Sequence, residues 1–285
     1  MKIKSSRRLF ILQMLFLFAA CEKQDSSIKF TELVIGVISY GKEKQKLEQF
    51  SRFREYLGKK IRARIQLEPT FNENMAIERI KNHTWSLVFA SPGLVAIAKA
   101  KYQYLPIFPL MVEVNLRSIF VVRKDSPLQD LKDLQNQTVA LGLPGSATGY
   151  YFPLYNLYGL TLAEILFAPT PKTVLEWVAQ NKAAAGAISL EEFNVHRLEL
   201  SNVEFRILFS DSQIVPPGAV LLSPQLDKNH QDLIRNYLQE APPTLIQEVG
   251  YVPNVEVSNY EYMISVVNRV TSIATNLRTK PVRIF

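Results

Sequence analysis

The run ELVIGVIS (Glu32–Ser39) is almost continuously apolar, and runs of the same kind return as WSLVFA (Trp85–Ala90), SIFVV (Ser118–Val122) and TVALGL (Thr138–Leu143). A strand covered on one face alternates apolar with polar residues. A run that is apolar throughout predicts a strand buried on both faces, the situation of a largely parallel sheet. Between the runs lie segments with helical spacing: Leu47, Phe50, Phe53 and Leu57 fall three and four apart. IRARIQLE (Ile61–Glu68) alternates with period two and reads as another strand. Helices are expected over 72–81, from Ser91-Pro92 onward, over 128–134, 150–157 and 171–180, and near the C-terminus. There Leu233, Tyr237 and Leu238 line one segment, and Met263, Val267, Val270, Ala274 and Leu277 line the next. Further strands are expected at EILFAP, AAGAISL, VEFRILFS (Val203–Ser210) and GAVLLS (Gly218–Ser223). Strands alternating with helices imply two open α/β sheets, most simply two lobes with a cleft between them.

The ends of the chain differ in charge. The formal net charge is +7, but Lys2, Lys4, Arg7 and Arg8 lie in residues 1–20 with no acid, which leaves +3 for the rest. That remainder is ordinary, and no nucleic-acid-binding motif accompanies it, so a nucleic-acid partner is not expected. The apolar stretch Leu9–Ala20 is shorter than the ~20 residues of a membrane span but suits a secretory signal. Cys21 is the only cysteine, which excludes a disulfide within the chain. Its place after Phe18-Ala19-Ala20 resembles a lipobox, although leucine is usual where Phe18 stands. The expectation is a lipoprotein signal peptide over 1–20, lipidation at Cys21 and a polar tether over 21–30. The chain would then be exported and lipid-anchored at the periplasmic face of the cell membrane. An ordinary signal peptide with an incidental cysteine is the alternative.

Three strands end in turns bearing hydroxyls: Ser39-Tyr40-Gly41, Ser91-Pro92-Gly93 and Ser146-Ala147-Thr148-Gly149-Tyr150. In open α/β sheets ligands bind beyond the carboxyl ends of strands. A helix start offers unpaired N–H groups and a partial positive charge, which favour an anion. Gly142, Gly145 and Gly149 let the backbone approach closely, and Ser146 and Thr148 add hydroxyls, so this loop suits a tetrahedral oxyanion. The plain alternative is that each serine is only an N-cap. Catalytic patterns are missing from the loop: no lysine follows Gly149 as a phosphate-binding P-loop needs, and the glycine spacing is not GxGxxG. A nucleophile elbow would need glycine where Pro144 and Thr148 stand. His83, His196 and His230 sit among polar residues and read as solvated, and no histidine or cysteine spacing suggests a metal. Glu191-Glu192 reads as a solvated helix start. Capture, without catalysis or cofactor, is the expected activity.

The stretch SIFVVRKDSPLQDLKDLQNQTVALGLPGSATGYYFPLYNL, with GVISYG, LVFASPGLVAIA and IVPPGAVLLSP, resembles the phosphate/phosphite/phosphonate substrate-binding proteins of ABC transporters. The resemblance implies a two-lobed type 2 periplasmic-binding-protein fold with two crossing strands and an interlobe cleft. Lobe 1 would comprise 31–117 and 217–285, and lobe 2 would comprise 118–216. It implies that Ser146, Ala147, Thr148, Gly149 and Tyr150 surround a small phosphorus oxyanion, with Ser39, Tyr40 and Ser91 contributing from lobe 1 and Ser189 from lobe 2. Partners would be a permease and its ATPase. Ala147 stands where a hydroxyl is common, TPKTVLEWVAQNK lacks the histidine frequent in phosphonate binders, and Ser189 replaces a frequent acid. These departures argue against an aminoethylphosphonate, unless Glu191 or Glu192 substitutes, and favour phosphite, methylphosphonate or phosphate. A membrane-tethered sensor or adaptor built on the same fold is the competing reading, and an enzyme reusing the cleft is a third.

Overall fold

The computed structural model describes residues 32–38, 43–70, 72–111, 116–274 and 277–285. Cys21, Ser39, Tyr40, the expected signal peptide and the expected tether lie outside the described residues.

The first apolar run forms β1 (Glu32–Ile38), parallel to β2 (Arg64–Thr70) on one side and β3 (Leu87–Ala90) on the other. Leu33, Ile35 and Val37 share one core with Phe53 and Leu57 of α1 (Glu43–Ile61). On the opposite face Gly36 leaves room for the Trp85 indole, whose ring atoms lie 2.2 Å from where a Cβ would stand. The expected strand over 61–68 starts later, because Ile61 continues the apolar stripe of α1 and is buried. The helix then stops at Arg62, which adopts φ 53° in the left-handed region that commonly ends helices.

The first sheet runs β2-β1-β3-β11-β4, where β4 is Leu105–Pro109 and β11 is Ala219–Leu222. The second runs β10-β5-β9-β6-β8, from β5 (Ser118–Arg123), β6 (Thr138–Leu141), β8 (Glu164–Phe167), β9 (Ala185–Ser189) and β10 (Phe205–Ser210). All strands from 118 to 210 in these two sheets belong to the second, and the chain returns to the first as β11, antiparallel to β3 and β4. Two segments therefore cross between the sheets. They bond to each other where Leu110 N–H donates to the Gly218 carbonyl (2.8 Å) and Val215 N–H to that of Leu116 (2.8 Å). Asp211, buried in the returning segment, accepts from Asn156 Nδ2 at 2.7 Å, and its own carbonyl accepts from Arg117 Nη1 at 2.7 Å. The expected α/β fold with two lobes is what forms.

The C-terminal segment makes contacts on both sides of the molecule. Its helix Glu261–Ile273 packs both on Pro92–Tyr102 and on Phe152–Asn156. Beyond it, β12 (Val282–Arg283) pairs with β7 (Thr161–Leu162), which follows the second sheet's β6 in sequence. The reason is an unpaired edge: Ile284 N–H donates to Leu160 and its carbonyl accepts from Gly159, and both Val282 and Ile284 are buried. The last strand thus pairs with β7 and not with a strand of the first sheet.

Candidate functional site

The glycine-rich turn after β6 is wider than an ordinary helix start. Both Tyr150 and Tyr151 N–H point to the Ser146 carbonyl (3.2 and 3.1 Å), so Ala147–Tyr151 forms one π turn before α4 (Phe152–Asn156). Single π turns are rare and concentrate at functional sites. Gly142 N–H donates to the Gly149 carbonyl at 2.8 Å, and the Ser118 hydroxyl of β5 donates to the Thr148 carbonyl at 2.7 Å. The Ser146 hydroxyl accepts from Gly149 N–H at 3.0 Å, as an N-cap does, and its own proton remains to be donated. The N–H groups of Ala147 and Thr148 open the turn and so have no acceptor within it. Residues 146–150 thus form a single pinned unit.

The facing lobe presents the first turns of α2 (Glu73–Lys81) and α3 (Pro92–Tyr102). A Cβ on Gly93 would lie 2.0 Å from the Gly145 carbonyl oxygen and 3.2 Å from Ala147 N. Gly145 has φ +107°, and a Cβ there would lie 2.2 Å from Glu73 Cβ. Backbone therefore meets backbone across the seam, and only glycine fits at either place. Ala147, Thr148 and Tyr150 are buried by this approach, and one apolar cluster runs unbroken from α3 through Ala147 and Tyr150 to Leu141.

Burial pushes the Tyr150 phenol up to about 12, so it is a neutral donor across the physiological range. Tyr151 is raised as well, first by burial and then by the nearby Tyr150 and Glu73.

The serines fare differently from one another. Ser91 occupies the N-cap of α3 with extended backbone, yet its hydroxyl makes no capping bond and is buried without a partner. The N-cap alternative therefore fails at Ser91. Ser189 is the reverse: its hydroxyl donates to Glu192 Oε2 (2.8 Å) and accepts from Glu192 N–H (3.1 Å). This closes a capping box at the start of α6 (Leu190–His196). That hydroxyl is therefore engaged within its own helix start. Glu192 is held in the same box and does not read as a free solvated acid. His83 is likewise no solvated residue; its ring stacks on Tyr104 with centroids 5.7 Å apart.

Two residues of this region carry no signal in the sequence. Glu73 is a buried acid pressed against Gly145, and Thr70, at the end of β2, is buried with its hydroxyl unpartnered. A depression of about 470 Å³ lined by Arg123, Asp125, Ser126, Gln137 and Lys182 lies apart from the seam, and its Arg123 is already held by Asp125 and the Ala179 carbonyl. Among the described residues no group of three or more side chains could hold a metal ion. Nor, among them, is any helix long and apolar enough to cross a membrane.

A two-lobed α/β molecule whose seam is formed by helix starts, glycines and hydroxyls is built as a binding protein. Residues 35–262 match the family described as ABC transporter, phosphonate, periplasmic substrate-binding protein. The chain belongs to this family, as the motifs around residues 118–157 imply. Its fold is similar to that of XAC2383 from Xanthomonas citri bound to chloride ion (TM-score 0.72, 19% identity, 85% of this chain and 99% of that one). It is also similar to PhnD1 from Prochlorococcus marinus in complex with methylphosphonate (TM-score 0.67, 15% identity, 85% and 99%). A third similar fold is the binding protein component PA3383 of a phosphonate ABC transporter from Pseudomonas aeruginosa (TM-score 0.63, 12% identity, 87% and 87%). No curated protein sequence matches the chain.

Proposed function

We propose that this chain captures a small phosphorus oxyanion between its lobes and delivers it to an ABC permease driven by its ATPase. The observation that carries the reading is the π turn at 147–151, whose first N–H groups and Ser146 hydroxyl are poised beside the Gly93–Gly145 contact. Burying an anion is costly unless its oxygens meet donors. Here Ala147 and Thr148 supply N–H groups, Ser146, Thr148 and Tyr150 supply hydroxyls, and Ser91 contributes from the first lobe, with Ser39 and Tyr40 as further proposed donors. Ser189 acts one step back: it pairs in register with Ser118, whose hydroxyl holds the Thr148 carbonyl. The two lobes are taken as 31–117 with 217–285 and 118–216. Residues 1–20 serve as a lipoprotein signal, Cys21 carries the lipid, and 21–30 is the tether that keeps the protein at the periplasmic face of the membrane.

The seam favours a ligand without a long tail, such as phosphite, methylphosphonate or phosphate, because Gly93 and Gly145 bring the backbones into contact. That an XAC2383 structure is described as holding chloride, and a PhnD1 structure methylphosphonate, accords with anion capture on this fold.

A thermal-shift panel of phosphate, phosphite, methylphosphonate, sulfate and aminoethylphosphonate tests the ligand class. A true ligand at a hundred times its Kd adds ~2.7 kcal/mol of stability. Thr148→Ala should weaken binding of the best ligand by ~1–3 kcal/mol, the range for hydrogen bonds to charged groups, and leave the fold intact. Equal affinity in both proteins would remove Thr148 from the site. For the anchor, Cys21→Ala should move the protein from the membrane to the soluble fraction, and unchanged sedimentation would exclude lipidation there.

A further inference from the structure

Two buried hydroxyls of the first lobe have no hydrogen-bond partner: Ser91 Oγ and Thr70 Oγ1. Thr70 is 1% exposed, so bulk water does not solvate it. A buried hydroxyl left unpaired is destabilising, and such groups are few in folded proteins. Both stand at the same edge of the first sheet. The parallel registers Ile38↔Thr70 and Val37↔Phe89 put them on either side of the end of β1, about two strand spacings (~10 Å) apart along the rim.

Side chains alternate along a strand, so Thr70 projects on the same face of β2 as Glu68. That is the face covered by α2, because Glu68 bonds Arg79 of α2 and the Trp85 indole. The two helices that begin at this rim carry Glu73 and Gly93, and both of these touch Gly145 of the facing lobe. Thr70 ends β2 three residues before Glu73, the residue that meets Gly145.

We infer that Thr70 is a further ligand contact, the first-lobe counterpart of Ser91, so that a captured oxyanion is held by one hydroxyl on each side of β1. The inference rests on the proposed capture of a phosphorus oxyanion at this seam. The opposing turn offers backbone N–H groups, which only donate, beside the hydroxyls of Ser146, Thr148 and Tyr150. A hydroxyl both donates and accepts, so Thr70 and Ser91 together accommodate an ionised or a protonated ligand oxygen.

The test is isothermal titration of the wild-type chain, Thr70→Val and Thr70→Ser with methylphosphonate and with inorganic phosphate, alongside ligand-free melting curves. Valine keeps the shape and removes only the hydroxyl. Thr70→Val is expected to weaken binding of the preferred anion about ten- to a hundredfold. Its ligand-free melting temperature should stay level or rise, because an unpaired buried hydroxyl has gone. Thr70→Ser should bind within a few-fold of wild type. Binding by Thr70→Val as tight as wild type overturns the inference, and so does a lowered ligand-free melting temperature, which would mean the hydroxyl is satisfied inside the fold. If the wild-type chain takes up neither anion, the capture reading itself falls and this inference with it.

Discussion

The turns at Ser91 and Ser189 are built alike and end differently. Each follows a buried strand, β3 in the first lobe and β9 in the second, and each opens a helix. At Ser189 the third helical residue is Glu192, and serine and glutamate satisfy each other's backbone and side chain in a closed box. At Ser91 the same place is Leu94, preceded by Pro92 and Gly93, and nothing returns to the hydroxyl. The Glu192 carboxylate thus takes up the Ser189 proton and N–H, whereas the Ser91 hydroxyl has no such partner. Ser146 stands between the two: its oxygen accepts from Gly149 while its proton stays free. In the second lobe the turn is pinned within the fold, and in the first the Ser91 and Thr70 hydroxyls have no hydrogen-bond partner within it.

The largest effect expected on this contrast comes from the seam itself. In Gly93→Ala the new methyl would stand 2.0 Å from the Gly145 carbonyl oxygen, an overlap with backbone that no rotamer relieves. Overpacking of this kind costs ~1–3 kcal/mol, and the lobes can avoid it only by parting. Affinity for the captured anion should fall by up to about a hundredfold, with scattering showing a more open molecule. Unchanged affinity and shape would mean that the Gly93–Gly145 contact is not part of the ligand-bound state, and the open character assigned to Ser91 would lose its setting.

Next come the paired serine deletions, which separate the two turns directly. Ser189→Ala should lower stability by ~1 kcal/mol through loss of the cap, read as a lower urea midpoint, with little change in ligand affinity. Ser91→Ala should do the opposite, leaving the midpoint level or higher while weakening binding about tenfold. If Ser91→Ala destabilises and Ser189→Ala binds poorly, the roles have been assigned the wrong way round.

Much of this was legible in the sequence because the fold follows periodicity. The first, third and fourth apolar runs became strands over 32–38, 118–123 and 138–141, and the stripe of Met263, Val267 and Val270 is buried in the C-terminal helix. The unity of 146–150 was legible too, since glycines and hydroxyls concentrate there. The Ser189-x-x-Glu192 pattern is a capping box readable from spacing alone, yet the adjacent Glu191 made the pair look like a solvated helix start. What could not be read depends on tertiary juxtaposition. Nothing local marks Glu73 as the neighbour of a glycine more than seventy residues on, or Thr70 as a buried hydroxyl without a partner. Nor does the short Val282–Arg283 segment announce that it will complete the edge at Thr161–Leu162.

The smallest effect expected concerns alkaline pH, where one buried tyrosine from each lobe can be compared. Burial raises both Tyr150, in the π turn, and Tyr104, beside His83, to about 12 from the ordinary 10.0. A raised pKa means the folded state favours the protonated phenol. The corresponding stability is fully present below pH 10 and is lost as pH rises through about 12. The surroundings differ, however: the Tyr104 hydroxyl donates to the Trp85 carbonyl at 2.9 Å, and desolvation is the cause acting on Tyr150. Tyr150→Phe should therefore reduce the loss of stability between pH 10 and 12 and cost little at neutral pH. Tyr104→Phe should also blunt the alkaline loss, but it leaves the Trp85 carbonyl without its donor and should cost ~1 kcal/mol at pH 7. Urea midpoints measured from pH 7 to 11.5 would show the two slopes. A neutral-pH cost at Tyr150 equal to that at Tyr104 would mean its phenol already has a partner within the fold and is not free to meet a ligand at the seam.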